Sequence, residues 1–272
     1  MAEERAPNII PVSQGPEHSE GKAKQSRTLR IDARGILDRE LNARLRKAVS
    51  DGTEWIELLN VNGQRYLGTG LSKPAVIEIF GTPGNDLGAF MNGSRIIIHG
   101  SAQDGCGNTM NSGEIIIHGR AGDILGLSAR GGKIFVKDNV GYRAGIHMKE
   151  YQGQRPMIVI GGTAQDFLGE YMAGGVLVLL GLNLEEGEHH KANFIGTGMH
   201  GGVIYMRESV RDFQLGKEVG IAELDANDRM ILEQLVDEFA HHFSYDTESI
   251  LKHKFVKLFP LYLRPYGRLY AY

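Results

Sequence analysis

The chain of 272 residues carries 30 Lys and Arg against 33 Asp and Glu, for a net charge of −3, with 42% hydrophobic and 23% charged residues. That balance suits a chain with a sizeable core and gives no bulk attraction to nucleic acid or anionic lipid. No apolar run reaches the ~20 residues of a membrane span, Met1–Gln25 lacks an apolar signal region, and a cytoplasmic location is expected. The single cysteine, Cys106, rules out an internal disulfide, a zinc ribbon or an iron–sulfur cluster ligated by this chain's own cysteines.

Residues 1–27, rich in Glu, Lys, Ser, Gln and Pro, predict a disordered tail. Thr28–Ile31 reads as a strand. Leu37, Leu41, Leu45 and Val49 recur every fourth residue before Gly52, which predicts a helix. Trp55–Val61 reads as a returning strand. Residues 28–62 are therefore expected to form a small α/β cap.

Residues 63–208 are self-similar. The 37 glycines of the chain are about twice the usual share, and most fall here. The apolar triplets begin at Ile77, Ile96, Ile115, Ile134, Ile158, Leu177 and Ile204, spaced 19, 19, 19, 24, 19 and 27 residues apart. Eight residues before the triplet stands Gly88, Gly107, Gly126, Gly169 or Gly196, and the 24-residue unit keeps Gly145 in the earlier register. The first unit departs from the rule, with Thr69 between Gly68 and Gly70. Asn85, Asp104, Asp123, Asp166 and Asn193 stand eleven before the triplet, and glycine is frequent three before it. These residue types favour left-handed corners. Alternating β-branched runs between corners read as strands. Nineteen residues cannot fold alone, so the units must stack. The expected fold is all-β: a single-stranded parallel β-helix of about seven coils with a 19-residue period, roughly 30–35 Å long.

The second residue of each triplet, Ile97, Ile116, Phe135, Val159, Val178 and Tyr205, forms an apolar stripe on the outside of the rod. Either the chain's own flanks or a partner must cover it. As a docking surface, it predicts that Phe135→Asp leaves the rod folded and weakens partner binding.

After Arg207 the repeat ends. Leu224–Phe243 reads as an amphipathic helix, with Ile231, Leu235, Phe239 and Phe243 on one face. Glu248–Lys252 reads as a shorter helix. The segment from Phe255 to Tyr272 is apolar, aromatic and basic, and is expected to pack on the rod or in a partner. Residues 209–272 are thus read as a helical extension with an aromatic tail.

Cys106 shares a register with Leu87, Leu125 and Leu168, which makes it a core residue rather than a nucleophile. His99 and His118 stack one period apart, but the next coil offers Lys137 instead of a third ligand. His147, placed in the five-residue insertion, and His200 read as turn residues, and His189-His190 falls in an exposed loop. Asp104, Asp123 and Asp166 read as turn-forming rather than calcium-binding, because calcium-binding β-roll repeats are nine residues long. No string matches a phosphate loop or dinucleotide fingerprint.

The glycine-rich units resemble the GXGXG domain of glutamate synthase large subunits. The likeness lies in Asn60-Val-Asn-Gly-Gln-Arg-Tyr-Leu-Gly-Thr-Gly70, Gly81-Thr-Pro-Gly-Asn-Asp-Leu-Gly-Ala-Phe-Met91 and Ala102-Gln-Asp-Gly-Cys-Gly-Asn-Thr-Met110. It continues in Gly161-Gly-Thr-Ala-Gln-Asp-Phe-Leu-Gly-Glu-Tyr-Met172, Ile195-Gly-Thr-Gly-Met-His-Gly-Gly202 and Arg264-Pro-Tyr-Gly-Arg-Leu-Tyr-Ala-Tyr272. The pattern is that of the stand-alone version found where glutamate synthase is split into chains. The resemblance implies a right-handed β-helix with no catalytic, cofactor or metal residues of its own. Its partners would be a glutamine amidotransferase subunit and an FMN/iron–sulfur glutamate synthase subunit. Ile97, Ile116, Phe135, Tyr205, Tyr266 and Tyr270 are the expected partner surface, and the isolated chain would cover the stripe as a homo-oligomer. N-methylglutamate synthase and formylmethanofuran dehydrogenase or formyltransferase/hydrolase complexes contain related β-helix subunits and are the alternative setting.

Overall fold

A computed structural model describes residues 28–185 and 187–262. Strand β1 (Thr28–Asp32), helix α1 (Asp38–Ser50) and strand β2 (Trp55–Asn62) form the expected cap. Leu41, Leu45 and Val49 are buried, whereas Leu37 is the N-cap residue and stays exposed. Its carbonyl begins the helix, so its side chain never joins the apolar face.

The repeat unfolds into seven strands: β3 (Val76–Thr82), β4 (Asn92–Ile98), β5 (Ser112–Ile117), β6 (Lys133–Val136), β7 (Met157–Ile160), β8 (Ala173–Leu179) and β9 (Gly201–Arg207). Each pairs in parallel with the next, and the triplets stay in register: Ile77 with Ile96, Ile96 with Ile115, and so on to Leu177 with Ile204. The chain is a parallel β-helix. Its stack reaches into the cap, because β2 pairs in parallel with β3 through Ile56 and Ile77. The first and third residues of each triplet point inward and form one continuous core with the cap.

After β9 the chain adds β10 (Val219–Ala222), α2 (Ala226–Phe243), α3 (Thr247–Leu251) and β11 (Phe255–Pro260). β11 pairs antiparallel with both β9 and β10, so Phe255–Pro260 closes the end of the stack. The extension is thus part strand as well as helix. Asp225 caps α2 by accepting from the Asp228 amide, and Asp246 caps α3 by accepting from the Ser249 amide.

The repeat glycines adopt left-handed backbone, with φ between +64° and +72° at Gly88, Gly107, Gly126, Gly169 and Gly196. Gly68 occupies the equivalent place in the first unit, with φ +72°, so that unit does not break the rule but carries one extra residue before β3. The corner is more unusual than the spacing suggested. The residues two before and two after the glycine are also left-handed, as in Ile124, Gly126 and Ser128. The Asn and Asp residues eleven before the triplet are not. The Asp side chains act instead as a staircase between coils. Asp104 Oδ1 accepts from the Asp123 amide at 2.9 Å, Asp123 Oδ1 from the Tyr142 amide at 2.8 Å, and Asp166 Oδ1 from the Asn193 amide at 2.8 Å.

Candidate docking surface and the helix that covers the stripe

The structure places the outer stripe under the chain's own helix. Ile116, Phe135, Val159, Val178 and Tyr205 are buried against Leu232, Leu235, Val236, Phe239 and Phe243 of α2. Ile116, Phe135 and Tyr205 are therefore not a free docking surface, and Ile97 is only half-buried at its end. Burying these side chains is worth about 1.5–3 kcal/mol each, so an adjacent apolar helix outcompetes water. The stripe changes character where α2 stops. In β2 and β3 the equivalent positions are Glu57 and Glu78, which suit solvent. Tyr266 and Tyr270 lie outside the described residues.

Polar contacts fix the helix on this face. The buried Tyr205 hydroxyl donates to Asp228 Oδ1 at 2.7 Å, and Lys257 Nζ donates to Asp228 Oδ2 at 2.7 Å. Burial and the Asp228 carboxylate push the Tyr205 hydroxyl far above the ordinary phenol range. Burial opposes ionisation of Asp228, but the Lys257 and Tyr205 hydrogen bonds prevail and hold its carboxyl low. Lys133 Nζ meets Glu238 at 2.6 Å, and His242 Nε2 meets Glu114 Oε1 at 3.2 Å. Glu114 and Lys133, each one residue before its triplet, thus serve as attachment points for α2. His118 stacks on His99 at 5.4 Å and meets the edge of Phe243 at 5.1 Å.

Cys106 is a free, buried core thiol, pushed up to about 12 by burial and, secondarily, by the Asp86 charge. That makes it inert as a nucleophile at neutral pH. His147 belongs to a corner, at φ +56°, and stacks on Tyr171 at 5.4 Å. The inserted residues follow Lys149 instead, because the Lys149 amide still bonds the Ala129 carbonyl in repeat register. His200 Nδ1 lies 3.2 Å from the Gly198 carbonyl. His189 is exposed as expected, but His190 is not. Its Nε2 lies 3.1 Å from the Arg207 carbonyl, and Gln214 Nε2 donates to the His190 and Ala192 carbonyls at 2.7 and 2.8 Å. The second insertion is pinned there because its carbonyls need buried donors. Among the described residues no three His, Cys, Asp or Glu side chains are placed to hold a metal ion, and no helix is long and apolar enough to cross a membrane.

Burial lowers His190 and His118 below the ordinary imidazole range. A group whose folded pKa is depressed binds fewer protons folded than unfolded. Stability is then complete above the unfolded value of about 6.5 and falls as pH drops toward the folded one. Thermal melts are expected to shift downward between about pH 7.5 and pH 5. His190→Gln, which keeps a donor toward the Arg207 carbonyl, is expected to flatten that slope. An equally steep slope in the variant would rule His190 out as a contributor.

Comparison with known proteins agrees with this architecture. The GXGXG motif family matches residues 57–262. An uncharacterized protein of Methanocaldococcus jannaschii is 47% identical over 250 residues, covering 89% of this chain and 95% of that protein. A chain of the formyltransferase/hydrolase complex of Methylorubrum extorquens, solved with methylofuran, has the same fold at 19% identity and a TM-score of 0.54. The alignment covers 82% of this chain and 91% of that one. With its stacked glycine corners and a match over most of its length, the chain belongs to the GXGXG motif family.

Proposed function

We propose that the chain is a non-catalytic structural subunit of a multi-subunit glutamate synthase. In this reading a glutamine amidotransferase subunit releases ammonia. A second subunit, carrying FMN and an iron–sulfur cluster, combines that ammonia with 2-oxoglutarate. The β-helix supplies a rigid body on which both sit. The observation that carries the reading is how the polar side chains are spent. The Asp staircase joins coil to coil, and Tyr205, Asp228, Lys257, Glu114 and His242 bind α2 to the rod. The reactive residue types serve assembly of the fold. A second reading, the β-helix subunit of a formyltransferase/hydrolase-type complex, is favoured by the alignment over 91% of the Methylorubrum extorquens chain.

Affinity purification of the tagged chain from its source cells, followed by mass spectrometry and an absorbance scan, tests both. A yellow-brown assembly with an amidotransferase chain, forming glutamate from glutamine and 2-oxoglutarate, is the expected result. Formyl-transfer partners would establish the second reading. A colourless chain eluting alone would overturn both.

A further inference from the structure

The corner edge of the rod carries side chains at left-handed positions where the same chain elsewhere places glycine. Arg143, Phe167 and Phe194 occupy one position on three successive coils, all left-handed at φ +58°, +67° and +57°. The two rings stack at 4.9 Å, and the Arg143 guanidinium, already paired with Glu170 at 2.9 Å, lies 4.7 Å over Phe167. Beside them His147 stacks on Tyr171, which is left-handed at φ +52°. A left-handed backbone costs a side chain about 1–2 kcal/mol relative to glycine. The same chain places glycine at the equivalent positions 105 and 198. Phe194 is 51% exposed and Tyr171 47%, so burial within the chain does not offset the strain.

The first insertion adds charge to this edge. Its extra residues form a tight turn closed by Tyr151 and Gln154. The Tyr151 ring lies 5.3 Å from the Arg130 guanidinium and 5.8 Å from the Lys149 ammonium. Arg155 is paired with Glu150 at 3.0 Å, but Arg130 and Lys149 meet no carboxylate among the described residues. Arg130 Nε is buried without a hydrogen-bond partner. The strained, exposed Tyr171 and Phe194 rings, together with two cations that meet no carboxylate, have the composition of a binding hot spot.

We propose that this edge, centred on Tyr171 and Lys149, docks an acidic segment of a different subunit. The inference rests on the subunit reading above and names the surface it uses. The charge selects the occupant. A second copy meeting this patch across a two-fold axis would bring the same excess of cations against Arg130 and Lys149. An acidic segment neutralises them, while the rings supply apolar area.

The test uses the assembly purified from source cells, with the photo-cross-linker benzoylphenylalanine in place of Tyr171, or of Met230, which is exposed on α2. The expected result is a cross-link from position 171 to one segment of a different chain, rich in Asp and Glu. Lys149→Glu is expected to weaken that cross-link about tenfold with unchanged melting. A cross-link only between copies of this chain would overturn the proposed occupant. An intact assembly with no cross-link from position 171 would overturn the surface while leaving the subunit reading standing. A chain that purifies without any partner would overturn both.

Discussion

Gly126→Val is expected to destabilise the rod severely. Left-handed backbone alone does not explain this, because Ile124 and Ser128, two residues to either side, hold φ +51° and +54° with side chains present. The difference is direction. Gly126 faces the interior, where an added Cβ would run into Ile158 Cδ1 of the strand opposite. Gly107 stands the same way against Ile134 Cδ1 at 2.5 Å, and Gly88 against Ile115 Cδ1 at 2.9 Å. Backbone strain of about 1–3 kcal/mol adds to overpacking of about 1–3 kcal/mol, a large share of the stability of an ordinary domain. Gly153→Ala is the control. It is also left-handed, at φ +76°, but nothing lies within 4 Å of its added Cβ, so it pays the backbone cost alone. Soluble expression and a thermal melt distinguish the two. A Gly126→Val chain that melts like the wild type would refute the inward-facing corner.

Phe135→Asp is expected to detach α2 and destabilise the whole molecule. On the stripe seen from sequence alone, the substitution would spare the rod and act only on partners. The structure reverses that expectation, because Phe135 is fully buried beneath α2, with the His242 ring edge-on at 4.8 Å. Truncating a buried Phe costs about 3–5 kcal/mol, and a carboxylate left there without a partner adds further desolvation cost. Limited proteolysis should cut within α2 in the variant long before the wild type, and the melting temperature should fall steeply. A variant with wild-type protease resistance would show that α2 does not hold this face.

The solenoid was legible because a stacked fold writes its contacts into the chain at a fixed period. A residue that meets its own copy one coil away must be of the same kind. Hence Ile96, Ile115 and Ile134 recur at 19 residues, and Cys106 takes its place among Leu87 and Leu125. The corner glycines were legible for the same reason, but their inward direction was not. The role of Asp104, Asp123 and Asp166 was half visible: their period was plain, but their use as acceptors between coils, rather than as left-handed residues, needed coordinates. The insertion was misplaced around His147 because glycine spacing locates an insertion only to within a few residues, whereas the Lys149–Ala129 hydrogen bond locates it to one.

What covers the outer stripe lay beyond the sequence. Its apolar character follows from Ile116, Phe135, Val159, Val178 and Tyr205 alone, as does the amphipathic character of Leu232–Phe243. Two apolar faces far apart in the chain can each meet the other, a partner or a second copy, and periodicity does not choose among them. The choice is made by groups that meet only after folding: Tyr205 and Lys257 on Asp228, Lys133 on Glu238, His242 on Glu114. The antiparallel closure by β11 and the burial of His190 were decided in the same way. Repetition along the chain thus determined the rod, while non-repeating long-range contacts decided which of its faces remain open.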